Sequence, residues 1–266
     1  MTVELGFVSF VRHPYRESVA EAAERNFDYV EILMDGSADR EALASDAEWI
    51  RSALADGGLD LLVHLPFPLT VASPHRHQRE GAVRELEACI ETAADLGARK
   101  GVLHASPGAW SAVWEPSDFD EGFLESAAEL HAFSSERDLE LCVENLFDGY
   151  LEADDFDFLF EETDLSATLD TGHAAITGVD EAGMAALLAD HDDRISHVHL
   201  NDNRRAADGS RYGDEHLPLG FGNVDFATVL EPVRTGEWSG TLSIELGTPN
   251  FDYLGPSRQH VETHLG

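Results

Sequence analysis

Leu139-Glu-Leu-Cys-Val-Glu144 is a short apolar run that ends on a carboxylate, and Ser166-Ala-Thr-Leu-Asp170 does the same beyond a helical candidate at 152–161. An apolar run, an amphipathic stretch and a second apolar run spell one parallel β-α-β unit. The unit repeats in both directions. Upstream lie Val3–Phe10, Tyr29–Leu33, Leu59–His64 and Gly101–His104; downstream lie Ile195–Leu200 and Thr241–Leu246. The other helical candidates fall near 15–26, 40–56, 76–97, 120–137, 180–190, 225–235 and 256–264. In 120–137, Phe123, Leu124, Ala127, Leu130 and Phe133 form one stripe at helical spacing. Eight strands, each followed by a helix, predict an α/β fold: a single eight-stranded parallel (β/α)8 TIM barrel over residues 1–266. An open doubly wound sheet would place a glycine-rich phosphate loop after the first strand, where Val11-Arg12-His13-Pro14 stands instead.

Composition narrows the function classes. Hydrophobic residues make up 43% of the chain, enough for a sizeable core and too many for a disordered one. Fifty-two Asp and Glu face 17 basic residues, of which Lys100 is the sole lysine, for a net charge of −35. Such a surface repels phosphate backbones and disfavours a nucleic-acid groove. Spread along the whole chain, the acidity suits a halophilic cytoplasm, where salt screens the repulsion. Met1-Thr-Val-Glu-Leu5 opens no signal peptide, and no apolar run approaches the roughly 18 residues of a membrane span. Cys89 and Cys142 read as reduced buried thiols.

The chemistry gathers at the strand ends. His64, His104, Glu144, Asp170, His199 and Glu245 close the third to eighth strands, with Glu245 just inside the end of the last. Their spacings of 40, 40, 26, 29 and 46 residues are about one β-α unit each. In a TIM barrel these ends meet at one mouth. Alternation puts Leu62, Val102, Cys142, Thr168, His197 and Ser243 one layer below on the same face, a mostly small or apolar layer. One histidine at a strand end is most often an ordinary surface residue. Glu144 and Glu245 differ, because each sits in an apolar strand where a carboxylate needs a cationic partner, and the chain has few cations. Carboxylates with imidazoles and no thiolate suit Zn, Mn, Co or Mg.

Asp170-Thr-Gly-His173 sets another imidazole in the loop after the sixth strand, and Asp214-Glu-His216 lies in a glycine-rich loop after the seventh. Pro74-His-Arg-His77 reads as the exposed opening of a helix.

Together the segments Val63-His64-Leu-Pro-Phe67, Val143-Glu144-Asn145, Leu169-Asp170-Thr-Gly-His173, His197-Val-His199-Leu-Asn-Asp202 and Asp214-Glu-His216-Leu-Pro-Leu-Gly-Phe-Gly-Asn-Val-Asp-Phe226 resemble the xylose-isomerase-like TIM-barrel superfamily, which holds sugar phosphate isomerases/epimerases and AP endonuclease family 2. The likeness covers nearly the whole chain. In the isomerase and epimerase branch it implies one divalent metal on Glu144, Asp170, His199 and Glu245. There the two glutamates shuttle a proton beside a carbonyl through an enediolate, and His173 with Arg204 or Arg205 holds substrate oxygens. In the endonuclease IV branch it implies three zinc ions and phosphodiester hydrolysis, with His64, His104, His173, Asp214 and His216 as additional ligands. The loops after His104, Glu144 and the first strand depart from the endonuclease, so sugar or polyol chemistry is the first expectation and the hydrolase the alternative. A non-catalytic sugar-binding barrel would have lost a ligand or base, yet Glu144 and Glu245 are both present. Many barrels of the group self-associate, so a homo-oligomer is compatible with the resemblance. A substrate phosphate would have Arg12, Arg204, Arg205 and Arg211 to meet it; Phe67, Trp110, Trp114 and Phe147 are candidate pocket walls.

Overall fold

A computed structural model describes residues 3–10, 13–110, 113–147, 149–204 and 213–266. The eight strands are β1 (Glu4–Phe7), β2 (Tyr29–Leu33), β3 (Asp60–His64), β4 (Lys100–His104), β5 (Glu140–Glu144), β6 (Ser166–Asp170), β7 (Ile195–Leu200) and β8 (Thr241–Ile244). All pair in parallel, in the order β1-β8-β7-β6-β5-β4-β3-β2. Between β1 and β2 the ring closes through a bridge from Val8 to Glu31, where the Ser9 amide donates to the Glu31 carbonyl at 2.8 Å. The result is a single TIM barrel, with helices packing apolar faces on its outside. Of the predicted helical stripe, Phe123, Ala127 and Leu130 are buried, while Leu124 and Phe133 are partly buried against the core.

Helix boundaries differ from the periodicity for local reasons. The 40–56 candidate divides into Arg40–Ser45 and Ala47–Gly57 at Asp46, whose carboxylate is held by Tyr15 and Arg16. The 225–235 candidate divides at Leu230, two residues before Pro232, which cannot donate into a continuing helix. The 152–161 candidate begins as a 3-10 turn at Ala153–Asp155 before the helix Phe156–Glu162. The segment after β6, read as a loop, is the helix Thr171–Thr177, started by the Asp170 carboxylate accepting from the His173 amide at 2.6 Å.

The layer beneath the strand ends is a second departure. Leu62, Val102 and Cys142 are buried there as expected, but Glu31 is the register partner of Leu62 and brings a buried carboxylate into the same layer. It meets His197, His199 and Ser243 across the barrel, and Thr241 bonds His197 in turn, so this side of the layer is polar. The sequence reading missed it because β2 ends in Leu33, and Glu31 looked like an interior strand residue. Tyr29 fills the space below, its ring lying over Gly6. A Cβ at Gly6 would stand 2.3 Å from that ring, which is why glycine occupies this point.

Cys89 and Cys142 are free and buried, and burial pushes both thiols up to about 12. Native protein at pH 8 is expected to leave an aromatic disulfide reagent unreacted, with two thiols per chain appearing on denaturation; immediate reaction would contradict this packing.

Candidate metal centre

Each ligand candidate is held by the end of its strand. His64, His104, Glu144 and Asp170 are the last residues of β3 to β6, and His199 is the penultimate residue of β7. Glu245 stands one residue beyond β8, not within it, with its amide donating to the Leu200 carbonyl at 3.0 Å. Converging strands bring one ligand atom each from Glu144, Asp170, His199 and Glu245 within 4.8 Å of one another. Such a gathering of three carboxylates and one imidazole is a donor set that suits a divalent cation.

Two further groups adjoin this one. Glu144 Oε2 lies 2.9 Å from His104 Nε2 and 3.4 Å from His64 Nε2. On the other side, Asp170, His173 and His216 form a group, with Asp214 3.3 Å from His216 Nε2 and 3.7 Å from His173 Nε2. All nine residues singled out as ligands therefore meet at one mouth. Pro74–His77 does not join them: it opens the helix Arg76–Leu96, and His77 is exposed beside Glu80.

Neighbouring polar groups aim these side chains. His64 Nδ1 donates to the Leu65 carbonyl and His173 Nδ1 to the Asn145 carbonyl, each at 2.9 Å, which leaves both Nε2 atoms for the mouth. Asn145 also grips the Asp170 backbone, and Asn201 Nδ2 donates to Asp170 Oδ2 at 2.6 Å. Glycine is required at 172, because a Cβ there would lie 1.8 Å from Asn201 Oδ1. Asp202 accepts from the amides of Gly220, Gly222 and Val224 and so folds the 214–224 loop back over the mouth. In that loop His216 adopts a left-handed backbone (φ 42°), a strained conformation for a non-glycine residue. Asn145, Asn201 and Asp202 escaped the sequence reading as functional groups, although each adjoins or lies near a ligand in the quoted motifs.

His199 Nδ1, His216 Nε2 and Glu245 Oε2 are buried and make no hydrogen bond, although His199 Nδ1 and Glu245 Oε2 are only 3.1 Å apart. Leaving such atoms unmatched costs about 1–3 kcal/mol each. Unmatched lone pairs on nitrogen and carboxylate oxygen fit a divalent cation. The charge balance fits as well. Burial opposes ionisation of Glu144, yet the His104 and His199 imidazoles outweigh it and hold its carboxyl well below the usual range. Burial is likewise outweighed at Glu245, whose carboxyl His199 and His216 draw down to about 2. At Asp170 burial wins over His173, and with Glu144 and Glu245 nearby the carboxyl rises to about 6. Three carboxylates thus compete for positive charge in one cup.

A cavity of about 440 Å³ opens beside them, lined by Glu144, Glu245, His173 and, on its apolar side, Leu33, Phe67 and Phe147. Trp110 and Trp114 are not among its lining residues. Arg204 is exposed and paired with Glu215, while Arg12, Arg205 and Arg211 lie outside the described residues.

The sequence profile of the xylose isomerase-like TIM-barrel family matches residues 19–264. An uncharacterized protein of Methanocaldococcus jannaschii is 27% identical over 246 residues, covering 89% of this chain and 80% of its own length. A probable endonuclease 4 of Mycobacterium ulcerans is 26% identical over 231 residues, covering 84% of this chain and 86% of its own. Among solved structures, a D-tagatose 3-epimerase-like protein superposes with a TM-score of 0.82 at 27% identity, over 98% of this chain and 97% of that one. Among the described residues no helix is long and apolar enough to cross a membrane.

Proposed function

Because the chain belongs to the xylose isomerase-like TIM-barrel family, we propose that it is a divalent-metal-dependent isomerase or epimerase acting on a sugar, sugar phosphate or polyol by proton transfer through an enediolate. One observation carries this reading. Glu144, Asp170, His199 and Glu245 gather their ligand atoms within 4.8 Å, and both glutamates face a cavity of small-molecule size. Likeness to the D-tagatose 3-epimerase-like structure supports it.

A divalent metal (Mn, Co, Mg or Zn) held by Glu144, Asp170, His199 and Glu245 would supply Lewis-acid polarisation of substrate oxygens and offset negative charge beside the carbonyl. Glu245, whose carboxylate offers one oxygen to the metal and faces the cavity, takes the proton from the carbon beside the carbonyl on its other oxygen. For epimerisation the proton taken by Glu245 passes to Glu144, which delivers it to the opposite face and so ends ionised as it began, with Glu245 ionised again; for isomerisation one carboxylate carries the proton between adjacent carbons. His173, on the cavity wall, binds a substrate oxygen, and Phe67 and Phe147 offer apolar faces to sugar C–H groups. The described lining holds no Lys or Arg, which suits a neutral sugar or polyol.

A second reading, metal-dependent phosphodiester hydrolysis, is favoured by a specific observation: the three ligand groups adjoin one another and comprise the full nine-residue set. The probable endonuclease 4 relative supports it. Elemental mass spectrometry on protein purified in high KCl without chelator separates the two. About one metal per chain, with turnover on a ketose and inosose panel, is the expected result. Close to three zinc ions with cleavage of abasic-site DNA moves the assignment to the hydrolase, and no metal even after reconstitution overturns both.

A further inference from the structure

We infer that Glu31 is a positioning residue that makes His199 a metal ligand, by fixing which ring nitrogen carries the proton. The inference rests on the reading that His199 holds a divalent metal. Glu31 is fully buried in the layer below the mouth, on the strand next to the barrel's closing seam. Three donors reach its carboxylate: His199 Nε2 at 3.1 Å on Oε1, and His197 Nε2 at 3.0 Å and Ser243 Oγ at 2.5 Å on Oε2. A carboxylate only accepts, so His199 presents Nε2–H to it, and in the neutral ring that binds a metal the lone pair is on Nδ1, pointing the other way. That Nδ1 is the atom left without a hydrogen bond, 3.1 Å from Glu245 Oε2 and 3.5 Å from Glu144 Oε2. In the opposite tautomer Nδ1 would carry hydrogen into the carboxylate cup and be lost as a ligand.

The surrounding groups fix Glu31 in turn. Ser243 spends its one hydrogen on Glu31, so Tyr29 Oη donates to Ser243 Oγ at 3.1 Å. His197 is satisfied at both nitrogens, by Glu31 and by Thr241 Oγ1 at 2.6 Å, and so serves as a buttress and not as a spare ligand. An ion among Glu31, His197 and His199 would break these bonds and still leave His199 Nδ1 unmatched. Carboxylate–histidine–metal chains of this kind orient the ring and raise its basicity.

The test is a Co²⁺ titration of the full-length protein, read by visible absorption, for the wild type and Glu31→Gln. Substitution is expected to weaken Co²⁺ binding about 10–100-fold and to change the visible band, with Ser243→Ala between the two. A merely structural role would lower the melting temperature and leave affinity and spectrum unchanged, and that result overturns the inference while the metal reading stands. A wild type that binds no Co²⁺ removes both. Should Glu31→Gln fail to fold, ¹⁵N spectra of histidine side chains in the zinc-loaded wild type decide: His199 bound through Nδ1 with Nε2 protonated is expected, and binding through Nε2 overturns the inference.

Discussion

Glu245→Gln is expected to lower turnover by about 10²–10⁴-fold, the usual contribution of a positioned acid–base group. The amide has the size of the carboxylate but takes no proton. At neutral pH the Glu245 carboxyl, drawn down to about 2 against the effect of burial, is ionised and ready to act as a base. Its Oε2 atom is buried and makes no hydrogen bond, so the substitution breaks no internal hydrogen bond at that atom. Because Glu245 also belongs to the four-residue ligand group, turnover is compared at saturating metal, where weaker binding is compensated and the loss of the base remains. His216→Ala is the contrasting variant: it lies outside that group and should keep one metal per chain. Full activity of both variants towards every substrate the wild type accepts would remove Glu245 and His216 from the site.

Stripping the metal is expected to abolish turnover and destabilise the fold together. Glu144, Asp170 and Glu245 lie in one cup, where burial and mutual repulsion raise Asp170 to about 6 against the pull of His173. A divalent ion at about a thousand times its dissociation constant contributes about 4 kcal/mol to the folded state, roughly 10 °C in melting temperature for a chain of this size. Calorimetry with chelator and after metal is restored measures the shift. Equal melting and equal turnover in both states would rule out a metal at this position.

The barrel was legible in the sequence because its strands are short apolar runs at regular spacing, and seven of the eight both begin and end within two residues of the expected limits. The first run shortened to Glu4–Phe7, since beyond Phe7 the backbone meets β2 at one isolated bridge and not in a ladder. Helix breaks at Asp46 and Leu230 were hidden because they depend on tertiary capping and one proline and not on hydrophobic period. The candidate ligand positions were legible for a simple reason: polar residues at the ends of apolar strands stand out. Glu31 was not, because only the curvature of the closed barrel brings an interior position of β2 against His197 and His199 on β7. Asp202 and Asn201 read as loop polarity, and their work became visible only once their amide and carboxylate partners were in place.

The seam between β1 and β2 ties two events to one residue. The carbonyl of Glu31 accepts the Ser9 amide that closes the ring, while its side chain holds the ring of His199. Across this joint two backbone hydrogen bonds, Ser9 to Glu31 and Asp28 to Leu5, stand where other strand pairs have a ladder, so local opening here costs few backbone hydrogen bonds. Parting the seam displaces the carboxylate as well, and a cation that holds His199 in place resists that parting. On the proposed metal reading, exchange of the Ser9 amide is expected to slow when the mouth is occupied, the cation then serving as a latch on the barrel that carries it.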